Sequence, residues 1–291
     1  MKNHHGDFTA MVENKERGPE PLASVREFPV PFKTMGLEVF EKYECDGQME
    51  IPVLNSFINA DCKDVMKLYP DNYFDLALCD PQYGLKEHGG KNRSGYVTQK
   101  NGSKIYVQDG KYENRGWDNE PPDKEYFDEL KRISKHQIIF GCNYFDYPLT
   151  GGRIIWDKCN DGSDQSDAEI AYNSFNNRVD IIRYMWRGMM QGKSIEEGWI
   201  QQGNKKLNEK RITPTQKPVA LYKWILQKYS KPGDKVIDTH VGSASSLIAC
   251  EDLGMHYVGT EKDTYTYNLA NKRLQEHKAQ YDIFHYGVER R

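Results

Sequence analysis

The sequence predicts an α/β fold: a mostly parallel, doubly wound sheet with helices on both faces. Three observations predict it. Short apolar runs that stop at a polar or acidic residue alternate with helix-length stretches, as in strands joined by crossover helices. The C-terminal part shows this alternation most regularly, as strand, small-residue loop, helix, strand and terminal glutamate. A chain of 291 residues is also long enough to bury a sizeable core.

In chain order, residues 1–40 are rich in Pro, Glu, Lys and Gly without periodicity, so they are expected to form a flexible or loosely packed arm before a domain over 41–291. Phe57-Ile58-Asn59-Ala60 is a strand running into Asp61-Cys62, and Asp75 to Cys79 a strand running into Asp80-Pro81-Gln82-Tyr83. A polar insertion at about 85–119, rich in Gly, Lys, Asn and Gln, is expected to be a functional or disordered loop. After a helix near Asp123 to Ser134, the strand Gln137-Ile138-Ile139-Phe140 leads into Gly141-Cys142-Asn143. Arg153 to Trp156 and Ala168 to Tyr172 are further strands, and a second polar insertion runs over about 187–211. Val219, Tyr222, Ile225, Leu226 and Tyr229 lie at helical spacing. A turn at Lys231-Pro232-Gly233-Asp234 precedes a strand to Asp238, the loop Thr239 to Ser245, a helix to about Leu253, a strand His256 to Thr260, and Glu261.

Composition narrows the function. A mean hydropathy of -0.83 and no apolar run of bilayer length predict no membrane span, and the polar start is not that of a signal peptide, so a cytoplasmic location is expected. The six cysteines show no Cys-x-x-Cys pair and no metal-ligand spacing with His, so free thiols and no metal are expected. With a net charge of -3, any nucleic-acid contact must rest on local positive potential.

Two constellations carry chemistry. An Asp-Pro pair alone commonly starts a turn. At the end of a buried strand, however, Asp80 offers acceptors for an amino group and Tyr83 a ring to stack on a flat one, which suits a nucleobase amine. Downstream, Asp238, the loop through Gly242 and Ser243, the helix and Glu261 form a nucleotide-type βαβ unit, with Glu261 placed to hold ribose hydroxyls. Ala244 stands where a Gly-x-Gly-x-x-Gly pattern has glycine, which disfavours pyrophosphate. A ligand with a ribose and a zwitterionic tail fits better, and S-adenosylmethionine is such a ligand.

Together these stretches resemble the DNA amino-methyltransferases that act on adenine N6 or cytosine N4. Asp80-Pro81-Gln82-Tyr83-Gly84 is similar to the family's Asp-Pro-Pro-Tyr motif. Thr213-Pro214-Thr215-Gln216-Lys217-Pro218 is similar to its His-Pro-Thr-Gln-Lys-Pro, and Asp238 to Ser245 to its Asp-x-x-x-Gly-Ser-Gly loop. Tyr126-Phe127-x-Glu129-Leu130, Gly141 to Phe145 and Ile155-Trp156-Asp157-Lys158 resemble phage- and prophage-type members. The catalytic motif precedes the cofactor loop, the circularly permuted order of the β class. Gln82, Thr213 and Ala244 depart from the pattern.

The resemblance implies a Rossmann-like methyltransferase fold of about seven strands. It also implies transfer of a methyl group from S-adenosylmethionine to an exocyclic amine in double-stranded DNA. Asp80 and the Pro81 carbonyl would accept the amine's N–H bonds, and Tyr83 would stack on the extruded base. Glu261 would hold the ribose, and Asp61 and Cys62 would border the adenine. Asp238, Thr239, Gly242, Ser243, Ser245 and Lys217 would surround the methionine part.

Aspartate at the first motif position points to adenine, with cytosine N4, or RNA, as the alternative. A protein-amide substrate is disfavoured because those enzymes carry Asn there. A non-catalytic DNA- or cofactor-binding regulator rests only on Gln82 and Ala244, and a dehydrogenase on little. Phosphate contacts are expected from Lys91, Arg93, Lys205, Lys206, Lys210 and Arg211, with Lys100, Lys104 and Lys193. The recognition region after Tyr184-Met185-Trp186 is short. That implies a short recognition site, recognition shared with the first insertion, or a homodimer. Whether a restriction partner exists is left open.

Overall fold

The computed structural model describes residues 40–43, 49–85, 95–98, 102–107, 118, 120–161 and 166–286. The expected N-terminal arm therefore lies outside the described residues. Strands β1 (Phe40–Tyr43) and β2 (Met49–Pro52) form an antiparallel pair. There follow β3 (Ser56–Ile58), α1 (Cys62–Met66) and β4 (Phe74–Cys79). The hairpin β5 (Gly95–Thr98) and β6 (Lys104–Val107) comes next, then α2 (Lys124–Ile133) and β7 (Ser134–Phe140). After β8 (Gly152–Asp157), β9 (Ala168–Asn173) and β10 (Val179–Arg183), a small hairpin joins β11 (Trp186–Arg187) to β12 (Met190–Gln191). The chain closes with α3 (Val219–Tyr229), β13 (Lys235–Asp238), α4 (Ser245–Leu253), β14 (His256–Thr260) and α5 (Thr264–Tyr286).

The main sheet has eight strands in the order β10-β8-β9-β7-β4-β13-β14-β3. All neighbours are parallel except β9, which runs antiparallel to both β7 and β8. The mostly parallel doubly wound sheet thus follows expectation. The strand beyond the about seven expected is accounted for by β10, whose Val-Asp-Ile-Ile-Arg alternates exposed and buried residues at the sheet edge.

Strand β4 is apolar nearly throughout because it is covered on both faces. Leu76 and Leu78 pack with Leu221, Ile225, Leu247 and Ile248 of α3 and α4. Ala77 and Cys79 pack with Val65, Met66, Phe127 and Leu130 of α1 and α2. Asp123 caps α2 by accepting a hydrogen bond from the Tyr126 amide at 3.1 Å, so the helix starts at a fixed residue.

Both insertions carry more regular structure than their polar composition suggested. In the first, Tyr96-Val97 and Ile105-Tyr106-Val107 supply the aromatic and β-branched residues of the β5–β6 hairpin. In the second, the β11–β12 hairpin is followed by a single 3₁₀ turn at Lys205–Leu207, capped by the Asn204 side chain.

Candidate active site

Parallel strands end at one edge of a sheet, and here several of those ends close on or lead into an acidic side chain. Asp61 follows β3, Glu261 follows β14, Asp238 closes β13 and Asp80 follows β4. Strands β4 and β13 are neighbours from which the chain winds outward in opposite directions, and ligands of open α/β sheets bind at such switch points. Because β9 is antiparallel, its beginning lies at that same edge. Its register sets Glu169 opposite Trp156, next to Lys158 just past the end of β8.

Asp80 is the centre of a buried polar network. Its Oδ1 accepts from the Tyr83 hydroxyl at 2.7 Å and its Oδ2 from Lys217 Nζ at 2.5 Å. Lys217 also donates to Glu169 Oε2 at 2.9 Å and to the Tyr83 oxygen at 3.1 Å. Lys158 pairs with the other Glu169 oxygen at 2.5 Å. The two carboxylates are held apart electrostatically. Burial works against the charge on Glu169, but Lys217 and Lys158 overcome it and hold the group down at about 2. Burial pushes Asp80 upward; Lys217 opposes the shift and Glu169 adds to it.

The Tyr83 ring is fixed on several sides. Its amide and that of Gly84 both donate to Asp118 Oδ1 at 2.8 Å, a carboxylate contributed by the far end of the first insertion. Gly141, after β7, has φ +70°, and a Cβ there would meet the Tyr83 ring at 2.1 Å. Tyr144, 40% exposed, lies nearly parallel to Tyr83 with ring centroids 5.0 Å apart. Pro81 is buried and Gln82 half-buried.

The second part of the site is the loop between β13 and α4. Glu261 accepts from the Gly242 amide at 3.0 Å and the Asp263 amide at 2.9 Å. Gly242 has φ +55°, and a Cβ there would meet nothing nearer than the His240 carbonyl at 4.0 Å, so the loop faces open space. Ala244 holds the left-handed φ of +66° that a glycine would take, so its methyl leaves the backbone course intact. Asp238 accepts from the His240 amide at 3.0 Å and from Ser246 Oγ, yet burial raises it to about 7. Thr239 Oγ1 lies 2.7 Å from the Tyr126 hydroxyl and 3.0 Å from His240 Nδ1, whose ring burial holds neutral by lowering it to about 4.

Ser243 and Ser245 are tied through their hydroxyls at 3.0 Å. Arg273 of α5 donates to the Ser243 carbonyl at 2.6 Å and to Glu209 at 2.7 Å. Asp61 caps α1 through the Lys63 amide at 3.0 Å and pairs with Lys262 at 2.8 Å, and the Cys62 thiol beside it is pushed up by burial.

These residues fit a zwitterionic nucleoside rather than a phosphate. Arg273 balances the charge of Glu209, so Glu261, with Asp238 once ionised, sets the sign of the loop. These acids disfavour phosphate and suit an ammonium or sulfonium group, while the open side of Gly242 leaves room for the ligand.

The structure brings Asp80, Pro81 and Tyr83 together with Lys217, and groups Asp238, Thr239, Gly242, Ser243, Ser245 and Glu261 around the loop. Of the basic residues, Lys91, Arg93 and Lys100 lie outside the described residues. Lys104, Lys193, Lys205, Lys206 and Lys210 are exposed, with Lys193 paired to Glu197. Arg211 is half-buried, with its guanidinium 4.2 Å above the Trp186 ring. Sequence reasoning gave no site role to Lys158, although it lies in the Ile155-Trp156-Asp157-Lys158 motif, and did not single out Glu169, Asp118, Glu209 or Arg273. That motif, with a Glu at the start of the adjoining strand, was the available signal.

The fold and this double site define a Rossmann-like α/β methyltransferase. Residues 105–272 match the DNA methylase family of N6/N4 enzymes, and the chain belongs to that family of DNA amino-methyltransferases, with S-adenosylmethionine as cofactor. YubD of Escherichia coli (strain K12), a methylase by attribution, is 24% identical over 234 residues, which is 76% of this chain and 90% of YubD. Type II methyltransferase M.HinfI of Haemophilus influenzae is 24% identical over 262 residues, covering 77% of this chain and 69% of its own. The solved M1.HpyAVI–SAM complex aligns with a TM-score of 0.44 at 16% identity, over 75% of this chain and 98% of that one. Among the described residues no helix is long and apolar enough to cross a membrane.

Proposed function

We propose that the chain methylates the exocyclic N6 amine of adenine in double-stranded DNA. The observation that carries this reading is Asp80 at the switch point, beside the β13–α4 loop and hydrogen-bonded to the Tyr83 hydroxyl. The aspartate at the first motif position favours adenine; cytosine N4 is the alternative.

The amine's lone pair is delocalised into its ring, so it is a weak nucleophile until pyramidalised. Each carboxylate oxygen can accept more than one hydrogen bond, so Asp80 can take an amine N–H while still holding Tyr83 and Lys217. The Pro81 carbonyl takes the second N–H, and the lone pair then points toward the β13–α4 loop. Bound there, S-adenosylmethionine supplies an electrophilic methyl group. Glu261 would hold the ribose hydroxyls, Asp61 and Cys62 the adenine border, and Asp238 with the Ser243 and Ser245 segment the charged tail. The raised affinity of Asp80 for a proton suits it to receive the one the amine releases. Tyr83 and the exposed Tyr144 supply ring faces for an extruded base.

Labelled S-adenosylmethionine and unmodified duplex DNA test this. Asp80→Ala is expected to lose about a thousandfold or more in rate with cofactor binding retained. Equal labelling by both proteins would overturn the role of Asp80. Digestion of the product to nucleosides decides between N6-methyladenine and N4-methylcytosine.

A further inference from the structure

The Asp80 reading leaves part of the buried network without a task. The Glu169 and Lys158 side chains are both largely buried and form one chain of contacts ending on Asp80. Burying two carboxylates and two ammonium groups is costly unless each is paired, and here each is. The pairing is also asymmetric. Glu169 holds two lysines, one on each oxygen, whereas Asp80 shares one of those lysines and a phenol.

We propose that Glu169 is a positioning residue for methyl transfer: through Lys217 it fixes the rotamer of Asp80, and through its own charge it makes Asp80 a stronger acceptor for the target amine. Lys158 holds Glu169 in place at the outer end of the chain. This rests on the reading of Asp80 as the amine acceptor.

The geometry supports direction as well as contact. Lys217 Nζ is 2.5 Å from Asp80 Oδ2 and 2.9 Å from Glu169 Oε2, so it cannot follow one carboxylate without leaving the other. The Tyr83 hydroxyl, 2.7 Å from Asp80 and 3.3 Å from Glu169, forms a second bridge between them. The Lys217 ammonium also lies 4.8 Å from the Phe140 ring centroid, a cation–π contact that further holds it in place. The groups facing Asp80 are Tyr83 of its own turn, Lys217, Glu169 of β9, Tyr222 of α3 and Asp238 of β13. Among these, Glu169 is the negative charge that a lysine bridge ties to Asp80.

The test compares Glu169→Gln and Lys158→Met with wild type in single-turnover rate against pH, with cofactor dissociation constant and Tm as controls. Glu169→Gln keeps the side-chain shape and removes the charge. The rate at pH 8 is expected to fall at least about tenfold with cofactor binding within about twofold. The acid limb of the profile should move to lower pH by about half a unit or more, because Asp80 loses a repelling neighbour. Lys158→Met leaves Glu169 less neutralised and should move that limb the other way. A limb that stays put in both variants, whether or not the rate falls, would reduce Glu169 and Lys158 to structural groups and overturn the proposal. The same series separates the two readings. If Asp80→Ala retains activity, the Asp80 role itself fails; if Asp80→Ala is inactive while Glu169→Gln behaves as wild type, only the positioning role fails.

Discussion

At the scale of single residues, Asp238 makes the most direct prediction about pH. Its carboxyl is buried and raised to about 7, above the ordinary aspartate range. A raised acid favours the folded state only while protonated. Its contribution is therefore complete below the unfolded pKa and is lost as pH rises toward and through about 7. A ligand that brings a positive charge to the loop reverses that loss. The thermal shift produced by S-adenosylmethionine should accordingly be larger at pH 8 than at pH 5.5, and Asp238→Asn should flatten the difference; equal shifts in wild type at both pH values would refute the assignment. Tyr144 makes a second prediction. A ring stacked on Tyr83 and 40% exposed can offer its outer face to a base, and loss of base–aromatic stacking costs about 1–3 kcal/mol. Tyr144→Ala should raise KM for DNA roughly tenfold with cofactor affinity unchanged. A KM equal to wild type would remove Tyr144 from the base site.

At the scale of elements, the second insertion is joined to the β13–α4 loop by one carboxylate. Glu209 accepts from Arg273 of α5, from Gln216, and from the Val219 amide at the start of α3. Gln191 of β12 fixes the Glu209 backbone through bonds of 2.7 and 2.8 Å. Arg273→Met should leave this largely buried carboxylate short of its cation, lowering stability by about 1–3 kcal/mol. Amide exchange over residues 204–217 should quicken more than in β4. Uniform quickening, or none, would mean that Glu209 couples nothing. This clamp also marks how far the elements could be read in advance. Strands such as His256–Thr260 and the helix over Val219–Tyr229 were legible because their apolar spacing is local. The motif residues Asp80, Asp238 and Glu261 were legible because each closes or follows such a strand. Glu209 and Arg273 sit 64 positions apart, and Asp80 and Glu169 meet only because β9 runs against its neighbours. Pairings of that kind depend on strand order and direction, which hydrophobic spacing does not encode. The hairpin β5–β6 escaped notice for another reason: its few apolar residues are diluted by the polar chain around them.

At the scale of the whole molecule, a chain with net charge -3 must confine its attraction for DNA to part of its surface. Among the described basic residues, three exposed lysines carry no ion pair within the second insertion: Lys205 and Lys206 in the 3₁₀ turn and Lys210 just after it. That insertion is the segment Glu209 ties to the β13–α4 loop, so phosphates bound there would lie on an element fixed relative to the strand edge that carries Asp80. Each phosphate neutralised on duplex DNA contributes about 0.9 to the slope of log affinity against log salt. Replacing Lys205, Lys206 and Lys210 together by Ala should therefore make that slope shallower by roughly 2–3. Affinity should fall most at low salt, with cofactor binding as the control for folding. A slope unchanged within error would mean that these lysines are solvated surface groups and that the duplex is held by another face of the protein.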